Sequence, residues 1–343
     1  MNKLNVLITG SGSLYGVAVI QSLLKSKLNV KLVAADTQSS ALGLHLAHRG
    51  YIVPPVKEEQ LYLERLLDII RAEKIDAIFI ASSQELSFYS HYKALLERET
   101  KAKVFTNSVP VLSICSDKWK TINFLKEQNF HYPKTIRYPE DKDKIEAFLK
   151  ETGFPLIAKP RRGKGSEDIH LIQNASHLNQ VLSNKTDMIL QQFLPDDQQE
   201  FTVGICCSIN GNVLSSIALK RHLQDGITVT AISDDYKDIT DYCERVAETL
   251  KPYGPCNFQL RLWNGKAYIF EINPRFSSTT GMRTLLGVNE PEILLQAELL
   301  QEKIPEIKIL KTSVIRQFAD YLVPTEQIVS LQNKSFLFKD HNE

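Results

Sequence analysis

Over its first third the chain repeats one unit: a short apolar run suited to a buried strand, then an amphipathic stretch of helical period, then another apolar run. LNVLI leads through a glycine turn to VAVIQSLLKS, VKLVAA to LYLERLLDIIRAE, and DAIFIA to a further helical stretch before KVFT. Strands separated by whole helices pair in parallel through crossovers, so this part predicts βαβ units. A ligand meets such a sheet at the loops that follow the C-terminal ends of its strands.

After Pro110 the pattern changes. A helix is predicted over 117–128, and YPKTIRYPEDKDK, rich in proline and charge, reads as a connector. Two strands, FPLIAKP and DIHLI, flank the glycine-rich basic loop RRGKGS. From Met188 onward MILQQFL, EFTVGICCSI, NVLSSIAL, NFQLRL and KAYIFEI are joined by turn signals such as Asn210-Gly211 and Asn264-Gly265, which predicts an antiparallel sheet. The expected fold class is therefore α/β followed by α+β. A parallel, Rossmann-like domain covers 1–112, a small lobe with the glycine-rich loop 113–187, a large antiparallel lobe 188–323, and a tail without readable pattern 324–343.

Bulk composition excludes several classes. With 343 residues, 41 lysines and arginines against 40 acids, the molecule has no overall field for nucleic acid or an anionic membrane. Five cysteines without CxxC spacing suit neither a disulfide framework nor a zinc site. The start MNKLNVLITG enters a strand directly, and no apolar run has membrane-spanning length, so a cytoplasmic protein is expected.

Four stretches can carry chemistry. In ITGSGSLYG, Gly10, Gly12 and Gly16 lie between a strand and a helix, and Asp36 ends the next strand where a ribose-binding acid would sit. The spacing is one residue longer than a dinucleotide fingerprint, and a tight βα turn needs glycines in any case. In AKPRRGKGS, Lys159 ends a strand and Arg162, Gly163, Lys164, Gly165 and Ser166 form a flexible basic loop able to wrap phosphate oxygens. QQFLPDDQQEFTV offers extended backbone for an adenine edge, then Glu200 for ribose hydroxyls. In FEINPRFSSTTG, alternation sends Ile269, Glu271 and Asn273 to one face and Tyr268, Phe270 and Ile272 to the core. Glu271, Asn273 and Gln259 from the preceding strand are hard oxygen donors for Mg²⁺ held jointly with phosphates. Gln259 shares their face only if the hairpin loop around Asn264-Gly265 is odd-numbered, with Gly265 left-handed at a bulge; a tight two-residue turn would point it away. Arg275 then reaches the transferring phosphoryl group.

In this order the stretches, together with SDK at 116–118, resemble the ATP-grasp superfamily, and within it the carbamoyl-phosphate-synthase-like branch. The resemblance implies ATP with Mg²⁺, two ions, or Mn²⁺ in their place. Lys118 and Lys159 would contact the phosphates and the loop Arg162, Gly163, Lys164, Gly165 and Ser166 would close over them as a lid. Gln191, Gln192, Phe193 and Leu194 would hold adenine, Glu200 the ribose, and Gln259, Glu271 and Asn273 the metal. Arg275 would stabilise the acyl-phosphate transition state, with Lys220 and Arg221, at the end of a strand, as added anion contacts. Gln191 stands where relatives often carry glutamate, and Gln259 where many carry an acid. The synthase itself needs two such halves and this chain holds one, so that reaction is not expected.

The implied activity is ATP-dependent activation of a small carboxylate as an acyl phosphate for attack by an amine or other nucleophile, in a cytoplasmic enzyme, with a homodimer as the implied assembly and no nucleic-acid or membrane partner. The substrates are expected between the N-terminal domain and 275–281, near Ser277, Ser278, Thr279, Thr280 and the loop 82–85. Two rival readings are an NAD(P)-binding oxidoreductase using the glycine turn and a nucleotide-binding regulatory protein without turnover.

Overall fold

The structure, a computed structural model, describes residues 3–163, 168–195 and 199–338. The βαβ alternation folds into a parallel sheet of β1 (Leu4–Thr9), β2 (Val30–Asp36), β3 (Arg49–Ile52), β4 (Ala77–Ile80) and β5 (Lys103–Phe105), in the order β3-β2-β1-β4-β5. Strand order reverses beside β1, so the loops 10–13 and 82–85 open a crevice at the strand C-terminal ends. The segment after residue 323 returns to this sheet: helix Thr325–Lys334 leads into the strand Phe336–Phe338, antiparallel to β3. An edge strand of three residues is too short to show alternation, although Leu331 and Leu337 anchor it in the core.

The small lobe is an antiparallel sheet of β6 (Thr135–Tyr138), β7 (Leu156–Pro160), β8 (His170–Ile172) and β9 (Met188–Gln192), in the order β6-β9-β7-β8. Two expectations are corrected here. The stretch TIRY, inside the presumed connector, is a strand. β9, placed by the sequence in the large lobe, lies between β6 and β7, with Gln191 opposite both Thr135 and Ile157. A border at 188 would cut through this sheet.

The large lobe is an antiparallel sheet of β10 (Glu200–Cys207), β11 (Val213–Gln224), β12 (Ile227–Ile232), β13 (Gly254–Trp263), β14 (Lys266–Asn273) and β15 (Ser313–Ile315), in the order β14-β13-β10-β11-β12-β15. One face packs Phe201, Val203, Phe258 and Leu260 against Val246 and Ala247 of helix Lys237–Leu250. The other joins the N-terminal domain in one core, in which Ile217, Leu219 and Phe276 meet Ile8 and Phe79. Phe276 stands edge-on to Phe79, centroids 5.3 Å apart, and truncating so buried a ring typically costs about 3–5 kcal/mol. All five cysteines are buried and free. Among the described residues no helix is long and apolar enough to cross a membrane.

Candidate active site

Lys159, on β7, carries a buried ammonium over the Phe270 ring, 5.3 Å from its centroid. Burial pushes it from the ordinary 10.5 down to about 8; Glu271 opposes this, while Lys118 and Arg261 add to it. Lys118 opens helix Lys118–Glu127, capped by Asp117, whose Oδ1 accepts from the N–H groups of Trp119 and Lys120 at 3.0 and 3.3 Å. Arg161 Nε donates to both oxygens of that carboxylate at 2.9 Å. Lys118 donates from its backbone to the Arg161 carbonyl (3.0 Å) and from Nζ to that of Gly163 (3.3 Å). The start of the helix is thus fastened to the loop after β7, and the helix dipole adds to the positive potential of two lysines. Arg162 is 60% exposed and lies 3.6 Å from Asp117 and 3.5 Å from Asp187. Lys164, Gly165 and Ser166 lie outside the described residues.

The β13–β14 hairpin overturns two expectations and keeps their consequence. Its loop is the tight two-residue turn, with Asn264 at φ +49° and Gly265 at φ +71°, between the paired residues Trp263 and Lys266. The parity change comes from a β-bulge: Leu260 pairs with Ile269 and Gln259 with Glu271, leaving Phe270 as the extra residue. Both Phe270 and Glu271 therefore face the cleft, while Ile269 and Ile272 enter the core. Strict alternation put Phe270 in the core; the bulge turns its ring under Lys159. Gln259 and Glu271, and likewise Asn257 and Asn273, are cross-strand partners. The Gln259 Oε1 accepts from Arg221 at 3.0 Å and the Asn273 Oδ1 from Arg275 at 3.1 Å. Glu271 makes no side-chain hydrogen bond or ion pair among the described residues. One free carboxylate and two amide oxygens suit a divalent cation whose remaining ligands come from elsewhere; among the described residues no group of three His, Cys, Asp or Glu forms a closed metal site.

Beside this face Glu200 is held between two guanidiniums. Its Oε1 accepts from Arg221 Nε and NH2 at 3.1 and 2.6 Å, and its Oε2 from Arg261 Nε and NH2 at 3.0 and 2.8 Å. Burial alone would raise its pKa; the two arginines outweigh that and hold it below the usual range. Four donated hydrogen bonds saturate the carboxylate, so a ribose hydroxyl reaches it only if one guanidinium lets go. Arg261 also donates to the Leu194 carbonyl at 2.8 Å and lies over the Phe193 ring. Gln191 donates from Nε2 to Thr135 Oγ1 at 2.9 Å, and Gln192 from its backbone to Lys134 at 2.8 Å. Gln191, Gln192 and Leu194 line a slot with Ile157, Leu223 and Phe270, apolar enough for a flat ring. Lys220 is corrected: β11 continues three residues past Arg221, and alternation sends Arg221 to the cleft and Lys220 to the opposite face, opposite Phe201.

Arg275 ties this cleft to the N-terminal domain. Its Nε donates to Ser83 Oγ at 2.8 Å, its NH1 to the Phe276 carbonyl at 2.9 Å and its NH2 to Tyr15 OH at 3.4 Å, and it lies over the Tyr15 ring. The following hydroxyls turn inward around Arg283, which donates to Thr279 Oγ1 (2.6 Å), Ser277 Oγ (3.1 Å) and Thr280 Oγ1 (3.1 Å) and pairs with buried Glu290 at 2.8 Å. Ser277, Ser278 and Thr279 still line the cleft. Tyr15, Thr202, Asn257, Arg261 and Arg283 escaped the sequence reading. Period two places Thr202 with Glu200, and Asn257 and Arg261 with Gln259, a signal that was available.

The glycine turn is filled from within. A Cβ on Gly10 would lie 2.6 Å from Ser82 Cβ, one on Gly12 2.7 Å from Ala41 Cβ, and one on Gly16 2.6 Å from the Gly10 carbonyl. Asp36, the expected ribose acid of an oxidoreductase, accepts from the Gly12 N–H at 2.8 Å. Packing accounts for these residues without a nicotinamide cofactor.

Comparison with known proteins agrees with the geometry. Residues 6–103 match the "PylC-like, N-terminal domain" family, 115–234 the "RimK-like ATP-grasp domain" and 184–318 the "ATP-grasp in the biosynthetic pathway with Ter operon" family. The chain is 23% identical over 244 residues to the carbamoyl phosphate synthase large chain of Methanosarcina barkeri, covering 64% of this chain and 22% of that one. It is 23% identical over 344 residues to the formate-dependent phosphoribosylglycinamide formyltransferase of Bacillus velezensis, covering 93% and 84%. The chain thus spans under a quarter of the first of these relatives and most of the second. In fold it resembles N5-carboxyaminoimidazole synthetase from Staphylococcus aureus complexed with ADP, with TM-score 0.71, 17% identity, and 96% and 85% of the two chains covered. Matched over residues 115–318 by two overlapping ATP-grasp models, the chain carries an ATP-grasp domain.

Proposed function

We propose that the protein is an ATP-dependent ligase that activates a carboxylate as an acyl phosphate, releasing ADP, for attack by an amine or other nucleophile. The observation that carries this reading is a pair of opposite charges that face one cleft without joining: the buried Lys159 ammonium and the Glu271 carboxylate, which has no side-chain partner among the described residues. An ion pair would be the cheapest use of the two. Held apart, they fit a ligand that is itself an ion pair, a polyphosphate with its divalent cation.

In this reading adenine enters the slot of Gln191, Gln192, Leu194 and Phe270, and the phosphates reach Lys118 and Lys159. Glu200 fixes Arg221 and Arg261 along the nucleotide, and Gln259, Glu271 and Asn273 hold Mg²⁺, which would neutralise phosphate charge. Arg275 is placed to offset the repulsion between an attacking carboxylate and the γ-phosphate. The acid approaches through the space between Ser83, Ser116, Lys118 and Arg275. Screening a broad set of carboxylates and amines for ADP release tests the proposal, with Glu271→Ala and Arg275→Ala as controls. Loss of one such group typically lowers turnover about 10²–10³-fold; turnover that survives both changes would refute the site, and nucleotide binding without turnover would favour a regulatory protein.

A further inference from the structure

A second cavity lies across the segment 277–280 from the nucleotide cleft. Helix Leu14–Leu24, helix Thr280–Leu285 and the stretch 314–321 enclose it, with an apolar wall of Leu14, Val17, Ala18, Met282, Leu285 and Phe318. Ser278 lines both this cavity and the cleft that contains Arg275. Arg316 is set into its wall, fixed by donation from its backbone N–H to the Val229 carbonyl at 2.7 Å.

The Arg316 guanidinium is incompletely satisfied. Its NH2 donates to the Ser278 carbonyl, but its NH1 is buried with no hydrogen-bond partner, and no carboxylate pairs with it among the described residues. Burial depresses its pKa. An unpaired buried donor is costly, and the partner that suits a guanidinium best is a carboxylate, which it binds in a fork. Two cavities adjoin the cleft that contains Arg275, through different walls. The one beside Lys118, Glu271 and Asn273 meets the phosphates directly and suits the acid being activated. The Arg316 cavity meets the cleft only through Ser278, so the anion it takes is not the reacting one.

Resting on the ligase reading above, we propose that Arg316 anchors the carboxylate of the acceptor, an amino acid with an apolar side group, whose amine points past Ser278 toward the acyl phosphate beside Arg275. The apolar wall receives the side group, and Phe318, 81% exposed, stands at its mouth. The neutral amine attacks the acyl carbon; the C–N bond forms, the C–O bond to phosphate breaks, inorganic phosphate leaves and the amine proton passes to solvent.

Calorimetric titration of the full chain, loaded with a nonhydrolysable ATP analogue and Mg²⁺, tests this with L-leucine, L-phenylalanine and L-leucinamide. At least one of the two amino acids should bind, and L-leucinamide should bind poorly. Arg316→Gln should weaken the amino acid about 10- to 100-fold with analogue affinity and melting temperature kept. Arg316→Lys should restore part of the loss, and Phe318→Ala should weaken L-phenylalanine. The proposal is overturned if neither amino acid binds while the analogue does, or if Arg316→Gln leaves affinity unchanged. Failure of the analogue itself to bind the wild type would instead sink the ligase reading, and this proposal with it.

Discussion

Replacing Lys159 with methionine should stabilise the nucleotide-free protein and disable it. The lysine is buried over Phe270, and its pKa falls from 10.5 to about 8. At 1.36 kcal/mol for each tenfold change in proton affinity, that gap corresponds to about 3 kcal/mol by which the folded state disfavours the ammonium. The folded pKa lies below the unfolded one, so between about pH 8 and 10.5 the unfolded chain binds more protons and stability rises with pH. Below pH 8 the whole cost is present; above 10.5 it has vanished. Methionine keeps the length of the side chain and removes the charge, so at pH 7 its advantage should reach ~1–3 kcal/mol, or several degrees of melting temperature in a protein of this size.

Thermal melts of both proteins at pH 7 and pH 10 make the comparison, with and without ATP and Mg²⁺. Methionine also gains from burial, but that gain does not depend on pH, so the decisive quantity is how far the difference shrinks between the two pH values. With nucleotide the order should reverse, because the phosphates supply the anion that the lysine lacks and methionine cannot use it. The wild type should then take up protons on binding ATP between pH 8 and 9, visible as a buffer-dependent enthalpy. A stability difference independent of pH, or equal nucleotide stabilisation of the two proteins, would refute the assignment of Lys159 as a buried cation awaiting an anion.

Two further substitutions probe the scaffold. Glu200→Gln leaves Arg221 and Arg261 without their shared carboxylate, and breaking a buried charge cluster in this way costs about 3–5 kcal/mol; urea unfolding should shift accordingly and ATP affinity should fall, whereas unchanged values would show that the clamp contributes nothing. Gly204→Ala would place a Cβ 2.4 Å from Arg283 Nε and 2.6 Å from Glu290 Oε1, a clash worth about 1–3 kcal/mol. A lowered melting temperature measures it, and an unaltered one would mean that the buried pair has room to move.

What the sequence makes legible follows from period. The parallel sheet is readable because each strand is a continuous apolar run and each helix a separate period, and Lys159, Gln259, Glu271 and Asn273, which line one cleft, because they interrupt such runs with polar or charged side chains. Thr135–Tyr138 is hidden by the prolines on either side, and Phe336–Phe338 by its length. Alternation alone cannot locate the bulge at Phe270, since inserting one residue in a strand changes nothing in composition. It does, however, decide which way Phe270 faces. Lys220 shows the reverse case: it pairs with Phe201, a core residue, and so lies on the face away from Glu200, but only the β10–β11 register reveals this. Glu200 looks like a ribose acid in the chain because neither Arg221 nor Arg261 is near it in sequence, and both meet it only through that register and the next.

The N-terminal domain also acquires a role that its glycine spacing conceals. Gly16 lies in the first turn of helix Leu14–Leu24 and packs on the Gly10 carbonyl, so the helix can start only where the turn lets it approach. That start fixes Tyr15, whose ring lies 4.0 Å from the Arg275 guanidinium, while the next loop of the same crevice supplies Ser83 to Arg275 Nε. Phe276, locked against Phe79, holds the other side. A turn shaped like a cofactor fingerprint therefore serves to aim an arginine at a cleft in another domain. The extra residue in its spacing is no defect on this view, because the turn has to accommodate Ser82 and Ala41 rather than a pyrophosphate.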